Sequence, residues 1–414
     1  MALRKIAILY TTFPVRSEIF VQREFVAIHE QDVEIEVWSL HGGDPDFAGI
    51  PIRRFSKWRL WRLLWQIPRE WSARPRLFFE FLHLLLSGDH HPSILNLGEN
   101  LLGIGFAIVE APAFRRSAPD LIHGVWGSLP AMGAWMLSRL CDIPFTFEAH
   151  AYDLFEHGGD WFLREKVKAA RLIRTSTGAG ATRLREVGAD PGKVILVRRG
   201  LLPVPPYPER GPVREPTRLV GVGRLVEKKG FLRQIEILAA LRDRGVDFTA
   251  RLIGDGPQRE TLRHAIDRHG LADRVSLTGW MSVEEVALAM VRSDFLLHTG
   301  QVARSGDRDG LPNVVGEAMS VGTIVLSTPE DGVAEAVIDG QTGFLCPLAD
   351  DTAWLAVVCS LLEHPVMAGE IRKRARAWVE SEFDARVNIE SWFRRLREIG
   401  TDSGEGLNAH EGLF

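Results

Sequence analysis

The feature that most constrains this chain is a break in its middle. Residues 201–217, LLPVPPYPERGPVREPT, carry six prolines in 17 residues. Proline fixes φ and has no amide hydrogen, so such a stretch cannot join the centre of a sheet and reads as an extended linker. On both sides the same pattern runs: short apolar stretches of strand length alternate with amphipathic stretches of helix length. RKIAILY, VEIEVWSL, LIHGVW, PFTFEAH, RLIRTST and KVILVRRG precede the break, and RLVGVG, DFTARLIG, RVSLTG, DFLLHT and TIVLST follow it. Strands alternating with helices imply a parallel sheet covered on both faces. The expectation is two α/β units: residues 1–204, a linker over 205–216, and residues 217–383. A helical stretch over about 384–400 lies beyond the second unit, and 401–414 reads as a disordered tail.

At 414 residues, 45% hydrophobic and 25% charged, the chain is too long for one core, which agrees with that division. Cys141, Cys346 and Cys359 have neither disulfide nor metal-ligand spacing, and the N-terminus lacks a secretory apolar region; a cytoplasmic protein with no metal and no cofactor is expected. No uninterrupted apolar run reaches the roughly 18 residues of a membrane span. Residues 1–200 carry 25 Lys and Arg against 22 Asp and Glu, and the remainder 25 against 32. The excess base is concentrated in 51–76, where eight Lys and Arg meet only Glu70.

Ligands of doubly wound sheets sit at the carboxyl ends of strands, so the turns there hold the candidate chemistry, and with two such sheets the cleft between them is the expected site. After RLVGVG, Gly221 and Gly223 allow close backbone approach, and Arg224, Lys228 and Lys229 follow; these cations suit a diphosphate. A dinucleotide fingerprint would need a third glycine where Val226 stands. In RSGDRDGLPNVVGEAMS, Pro312 suits the first position of a helix, so the amides of Gly310, Leu311, Asn313 and Val314 are expected to form an anion site. Asp309 precedes that helix and Glu317 lies about one turn inside it, leaning back toward the same mouth. The plain alternative is a pair of acids complementing a helix dipole. His150 ends the strand in FTFEAH; a lone histidine there is more often structural, and its company is what singles it out.

Taken together and in order, VGRLVEKKG, LIGDGP, LTGW, DGLPNVVGEAMS and DGVAEAVIDGQTGFLCPLAD resemble the retaining glycosyltransferases of family 4, which have the GT-B fold of two Rossmann-like domains facing across a cleft. RSEIFVQREF, LIHGVWGSLPA and PFTFEAHAYDLF are similar to segments of the colanic-acid-type exopolysaccharide transferases. The resemblance implies that Arg224 and Lys229 hold the diphosphate of a UDP- or GDP-sugar as it leaves, with Gly223 and Lys228 beside them. It implies that Asp309 contacts the donor sugar, Glu317 the ribose, and that His150 lies near that sugar. Loops 252–257 and 277–281, with Gly254, Gly279 and Trp280, would enclose the base. Ser17, Glu18, Trp126 and Asp153 fall on the acceptor side. Transfer with retention to a glycan or polyprenyl-diphosphate-linked acceptor, independent of metal, is what the likeness implies. Asp309 is one methylene shorter than the family's glutamate. The alternatives are a non-catalytic nucleotide-sugar-binding partner protein and a GT-B-like epimerase; no nucleic-acid partner is expected.

KWRLWRLLWQIPREW sets Trp58, Trp61 and Trp65 on one helical face and Arg59, Arg62 and Arg69 on another. That pattern suits either a helix lying on an anionic membrane or one packed on its own domain.

Overall fold

The computed structural model describes residues 3–15, 18–87 and 93–401. It divides into two compact units: one ends at Arg198 and takes up the chain again from Arg386, and the other is Arg199–Ala385. Each is built on its own sheet.

The first unit contains β1 (Lys5–Tyr10), β2 (Glu34–Ser39), β3 (Asp46–Phe47), β4 (Ile50–Arg54), β5 (Leu121–Gly124), β6 (Phe145–Glu148), β7 (Ile173–Thr175) and β8 (Val194–Leu196), in the order β3-β4-β2-β1-β5-β6-β7-β8. All pairings are parallel except β3 with β4. β1 and β6 are buried along nearly their whole length, as strands covered on both faces must be. The chain first builds outward from β1 through β2 and then returns to β5 on its other side. The ends of β1 and β5 are therefore the switch point of this sheet.

Five helices cover much of this sheet and carry its exposed aromatic segment: α1 (Ile19–His29), α2 (Leu63–Ala73), α3 (Pro75–Ser87), α4 (Ile94–Ser117) and α5 (Leu129–Cys141). α4 is long and apolar enough to cross a bilayer, but half of its apolar window is buried, and Phe106, Ile108, Val109 and Phe114 belong to the core of the unit. The helix Ala385–Thr401 also belongs here: Trp392 packs its ring 4.6 Å from that of His123 and 5.4 Å from the Arg174 guanidinium.

The second unit holds β9 (Thr217–Val222), β10 (Phe248–Ile253), β11 (Val275–Gly279), β12 (Phe295–His298), β13 (Ile324–Ser327) and β14 (Phe344–Leu345), all parallel, in the order β11-β10-β9-β12-β13-β14. The switch point lies between β9 and β12. Trp354, Phe231, Phe248 and Leu252 fill one face of the sheet, and Val315, Met319, Val379 and Phe383 the other. Local signals agree with the fold. Ser282 and Glu285 form a capping box at the start of the helix Val283–Val291, each side chain accepting from the other's backbone amide at 3.2 and 2.8 Å.

The structure differs from the sequence reading in detail. Residues 57–117 are not one helical stretch: Lys57–Arg62 is a 3-10 turn, followed by α2, α3 and α4. The helix after the Gly-Leu-Pro turn begins at Asn313, with Pro312 as its cap at ψ 130°, one residue later than expected. The expected tail falls almost wholly outside the described residues.

Candidate functional site

In the second unit the loops after β9 and β12 meet at the switch point. The β9 loop closes in a 3-10 turn, Glu227–Lys229, followed by Gly230 at φ +64°. Gly230 is required there: a Cβ would stand 1.9 Å from the Thr299 carbonyl oxygen. The Thr299 hydroxyl donates to the Gly230 carbonyl at 2.9 Å, and the Gln301 amide donates to that of Lys228 at 2.9 Å. This stitching sets two lysines against two aspartates from some 80 residues further along. Lys229 Nζ donates to Asp309 Oδ2 at 2.6 Å, and Lys228 Nζ lies 2.8 Å from Asp307 and 3.6 Å from Asp309.

Those contacts set the charge states. Burial alone would raise the Asp309 carboxyl, but Lys229 and then Lys228 outweigh it and hold the pKa down at about 2. Asp309 is thus ionised and Lys229 is its partner. The expected division of labour puts Lys229 on a diphosphate and Asp309 on a sugar, and the structure brings the two groups to one point, paired with each other.

Gly223, Gly254 and Gly279 end three neighbouring strands. The Gly254 amide donates to the Gly279 carbonyl at 2.9 Å, and a Cβ on Gly254 would stand 1.8 Å from the Gly223 oxygen. The backbones there leave no room for a side chain at Gly254. Arg224 and Trp280 are exposed at this edge, Glu317 is half-buried one turn into the helix Asn313–Ser320, and the Asn313 Oδ1 is buried without a hydrogen-bond partner. The Gly310 carbonyl sits where a Cβ on Gly332 would be, 2.4 Å away.

In the first unit the loop after β6 holds His150. The ring is buried, with Nε2 3.0 Å from Glu148 Oε2 but in no directed hydrogen bond. Glu148 is also held by Arg174 at 3.1 Å, and Arg174 reaches Glu24 on α1. Sequence reasoning missed this buried Glu24–Arg174–Glu148–His150 chain, because its members come from three separate elements. Trp126 stands edge-on to His150 at 5.7 Å, at φ +87°, a strained value for a residue with a Cβ.

Asp153 is otherwise employed. Its oxygens accept from the amides of Gly127 at 2.8 Å and of His150 and Ala151 at 2.9 Å, so the carboxylate anchors the two loops that carry Trp126 and His150. Glu18 stands half-buried before α1, and Ser17 lies outside the described residues.

The basic aromatic segment divides between two roles. Leu60, Leu63 and Ile67 pack on the core, while Trp58 is 88% exposed, Leu64 79% and Leu86 78%, with Trp61, Trp65, Trp71 and Phe79 also exposed. Arg59 does not face outward alone: it pairs at 2.6 Å with the buried Glu110.

The glycosyl transferases group 1 family matches residues 208–378. Across nearly the full length the chain is similar to the protein named colanic acid biosynthesis glycosyltransferase WcaL of Escherichia coli (strain K12), 26% identical over 92% of this chain and 97% of that protein. It is 31% identical to the amylovoran biosynthesis glycosyltransferase AmsK of Erwinia amylovora, over 55% of this chain and 53% of that one. Among solved structures, Anabaena HepE in complex with UDP and glucose superposes with a TM-score of 0.67 at 17% identity, covering 95% of this chain and all of that one. Sucrose-phosphate synthase from Thermosynechococcus elongatus does so at 0.70 and 17%, covering 95% and 99%. Residues 208–378 thus form a glycosyl transferases group 1 domain, and the chain as a whole has the GT-B fold.

Proposed function

We propose that the protein transfers a sugar from a UDP- or GDP-sugar, with retention at the anomeric carbon and without a metal ion, to a hydroxyl of a lipid-linked or oligosaccharide acceptor in exopolysaccharide assembly. The observation that carries this reading is the Lys228–Lys229 pair set against Asp307 and Asp309 where the strand order of a group 1 domain reverses. A departing diphosphate develops negative charge, and fixed cations with backbone amides stabilise it without reorganising. Arg224, exposed at the same edge, adds a planar fork. In this reading a bound donor draws Lys229 onto its diphosphate and frees Asp309 for a sugar hydroxyl, Glu317 takes the ribose and His150 serves the sugar being moved. The likeness to WcaL and AmsK, whose names place them in colanic acid and amylovoran synthesis, supports the acceptor class. The UDP and glucose held by HepE support a nucleotide-sugar donor.

The same reading puts the first unit on the cytoplasmic face of a membrane. The exposed Trp58, Trp61 and Leu64, with Arg62 and Arg69 close by, suit the headgroup region of an anionic bilayer, where a polyprenyl-linked acceptor resides.

The test is incubation with UDP- and GDP-sugars and a polyprenyl-diphosphate-linked glycan, with and without EDTA, followed by NMR of the product's anomeric proton. Transfer that persists in EDTA with the donor's configuration supports the proposal. Inversion, metal dependence, or epimerisation of the donor without acceptor would overturn it. Normal cellular glycan synthesis by Asp309→Ala and His150→Ala variants would favour a binding protein instead.

A further inference from the structure

His298, which no sequence motif singled out, closes β12 beside the Lys229–Asp309 ion pair. Its ring is buried, and Nδ1 lies 2.8 Å from the hydroxyl of Ser327, its register partner on β13. That hydroxyl donates its one hydrogen to the Thr328 carbonyl at 3.1 Å. With its hydrogen on that carbonyl the hydroxyl accepts from His298, the tautomer that puts the ring proton on Nδ1 and leaves Nε2 a bare lone pair. Burial first, and then the charge of Lys229, keep the ring neutral, with a pKa lowered to about 4.

Nε2 is buried and has no hydrogen-bond partner. An unmet acceptor is costly in a folded protein and calls for an explanation. The charges of Lys229 and Asp309 both act on this ring. Two residues on, the buried Gly300 packs its backbone against the same edge: a Cβ there would stand 2.7 Å from Cε1 and 3.4 Å from Nε2. We propose that His298 Nε2 accepts a hydrogen bond from a hydroxyl of the transferred sugar, so that this imidazole distinguishes a glycosyl donor from a bare nucleoside diphosphate. The proposal rests on the reading of Lys229 and Asp309 as the donor site.

Calorimetry on wild type, His298→Leu and His298→Gln with UDP, GDP, UDP-glucose, UDP-galactose and GDP-mannose tests it. The expected result is that His298→Leu binds the nucleoside diphosphate as wild type does and the matching sugar nucleotide about tenfold more weakly, the loss of a single hydrogen bond. His298→Gln, whose amide oxygen stands in for Nε2, recovers most of that loss. In 15N spectra of the wild type, the Nε2 resonance should move on adding the sugar nucleotide and stay fixed with the diphosphate alone. Equal weakening of both ligands by His298→Leu, weakening of neither, or an unmoved Nε2 resonance would overturn the proposal. A wild type that binds none of the five sinks the donor-site reading itself and this proposal with it.

Discussion

Lys229 and Asp309, 80 positions apart in the chain, form the shortest link between the β9 and β12 loops at 2.6 Å, and each is also the group expected to meet the donor. A lysine so held is pre-positioned, and its ammonium is available to an incoming diphosphate only in exchange for the carboxylate. Replacing it should therefore damage turnover, and it also leaves the buried Asp309 carboxylate without its nearest cation. Lys229→Ala is expected to lower kcat/KM about 100- to 1,000-fold, the range for losing one fixed charge-stabilising donor. Lys229→Arg should restore little, because a forked guanidinium does not fit a site built for a point charge. Steady-state kinetics beside a thermal melt separate the two effects.

Acid should weaken the second unit in two stages. His298 has its folded pKa lowered to about 4 from 6.5. The unfolded chain takes up that proton first, so stability is full above about pH 6.5 and falls as pH drops toward 4, by about 3 kcal/mol. Asp309 has its folded pKa lowered to about 2 from 3.8. Its contribution is present above the unfolded value and is lost as pH falls toward 2, about 2 kcal/mol in all. Urea unfolding at pH 7.5, 6 and 5 should show the first stage, and His298→Gln should flatten it.

Asp153 should prove a stability residue. Asp153→Ala removes the acceptor for three backbone amides in buried loops and is expected to cost about 2–4 kcal/mol. Asp153→Asn keeps one oxygen and should lose less. Melting temperature is the readout, and a variant as stable as wild type would deny the anchor.

Membrane binding is best probed where nothing else is disturbed. Arg59 is unsuitable because its removal strands the buried Glu110. Trp58→Ser with Leu64→Ser touches exposed side chains only and should reduce flotation with anionic liposomes about tenfold or more, given roughly 1.5–3 kcal/mol for each large apolar group withdrawn from water. Unchanged flotation would return the segment to a purely internal role.

How far the sequence foretold this structure depends on how local each signal is. Strands such as KIAILY and DFLLH are continuous apolar runs and were readable from their own residues. The short β3 and β14, of two residues each, carry no such run and owe their existence to a neighbouring strand. The helices Asp351–Glu363 and Pro365–Glu382 were not foreseen, although Asp350 caps the first by accepting from the Ala353 amide. Individual site residues were legible as chemistry, but their partners were not. Nothing near Asp309 in sequence announces Lys229, and nothing near His150 announces Glu24. His298 shares with His150 its place at the end of an apolar strand, but it lacks the neighbouring motif residues that singled out His150.

Gly230 sets a boundary on how this protein can vary. With its Cα against the Thr299 carbonyl, any side chain at this position would drive the β9 loop off the β12 loop and carry Lys228 and Lys229 away with it. Position 230 is thereby closed to substitution, whereas exposed neighbours such as Arg224 and Trp280 are free of that constraint.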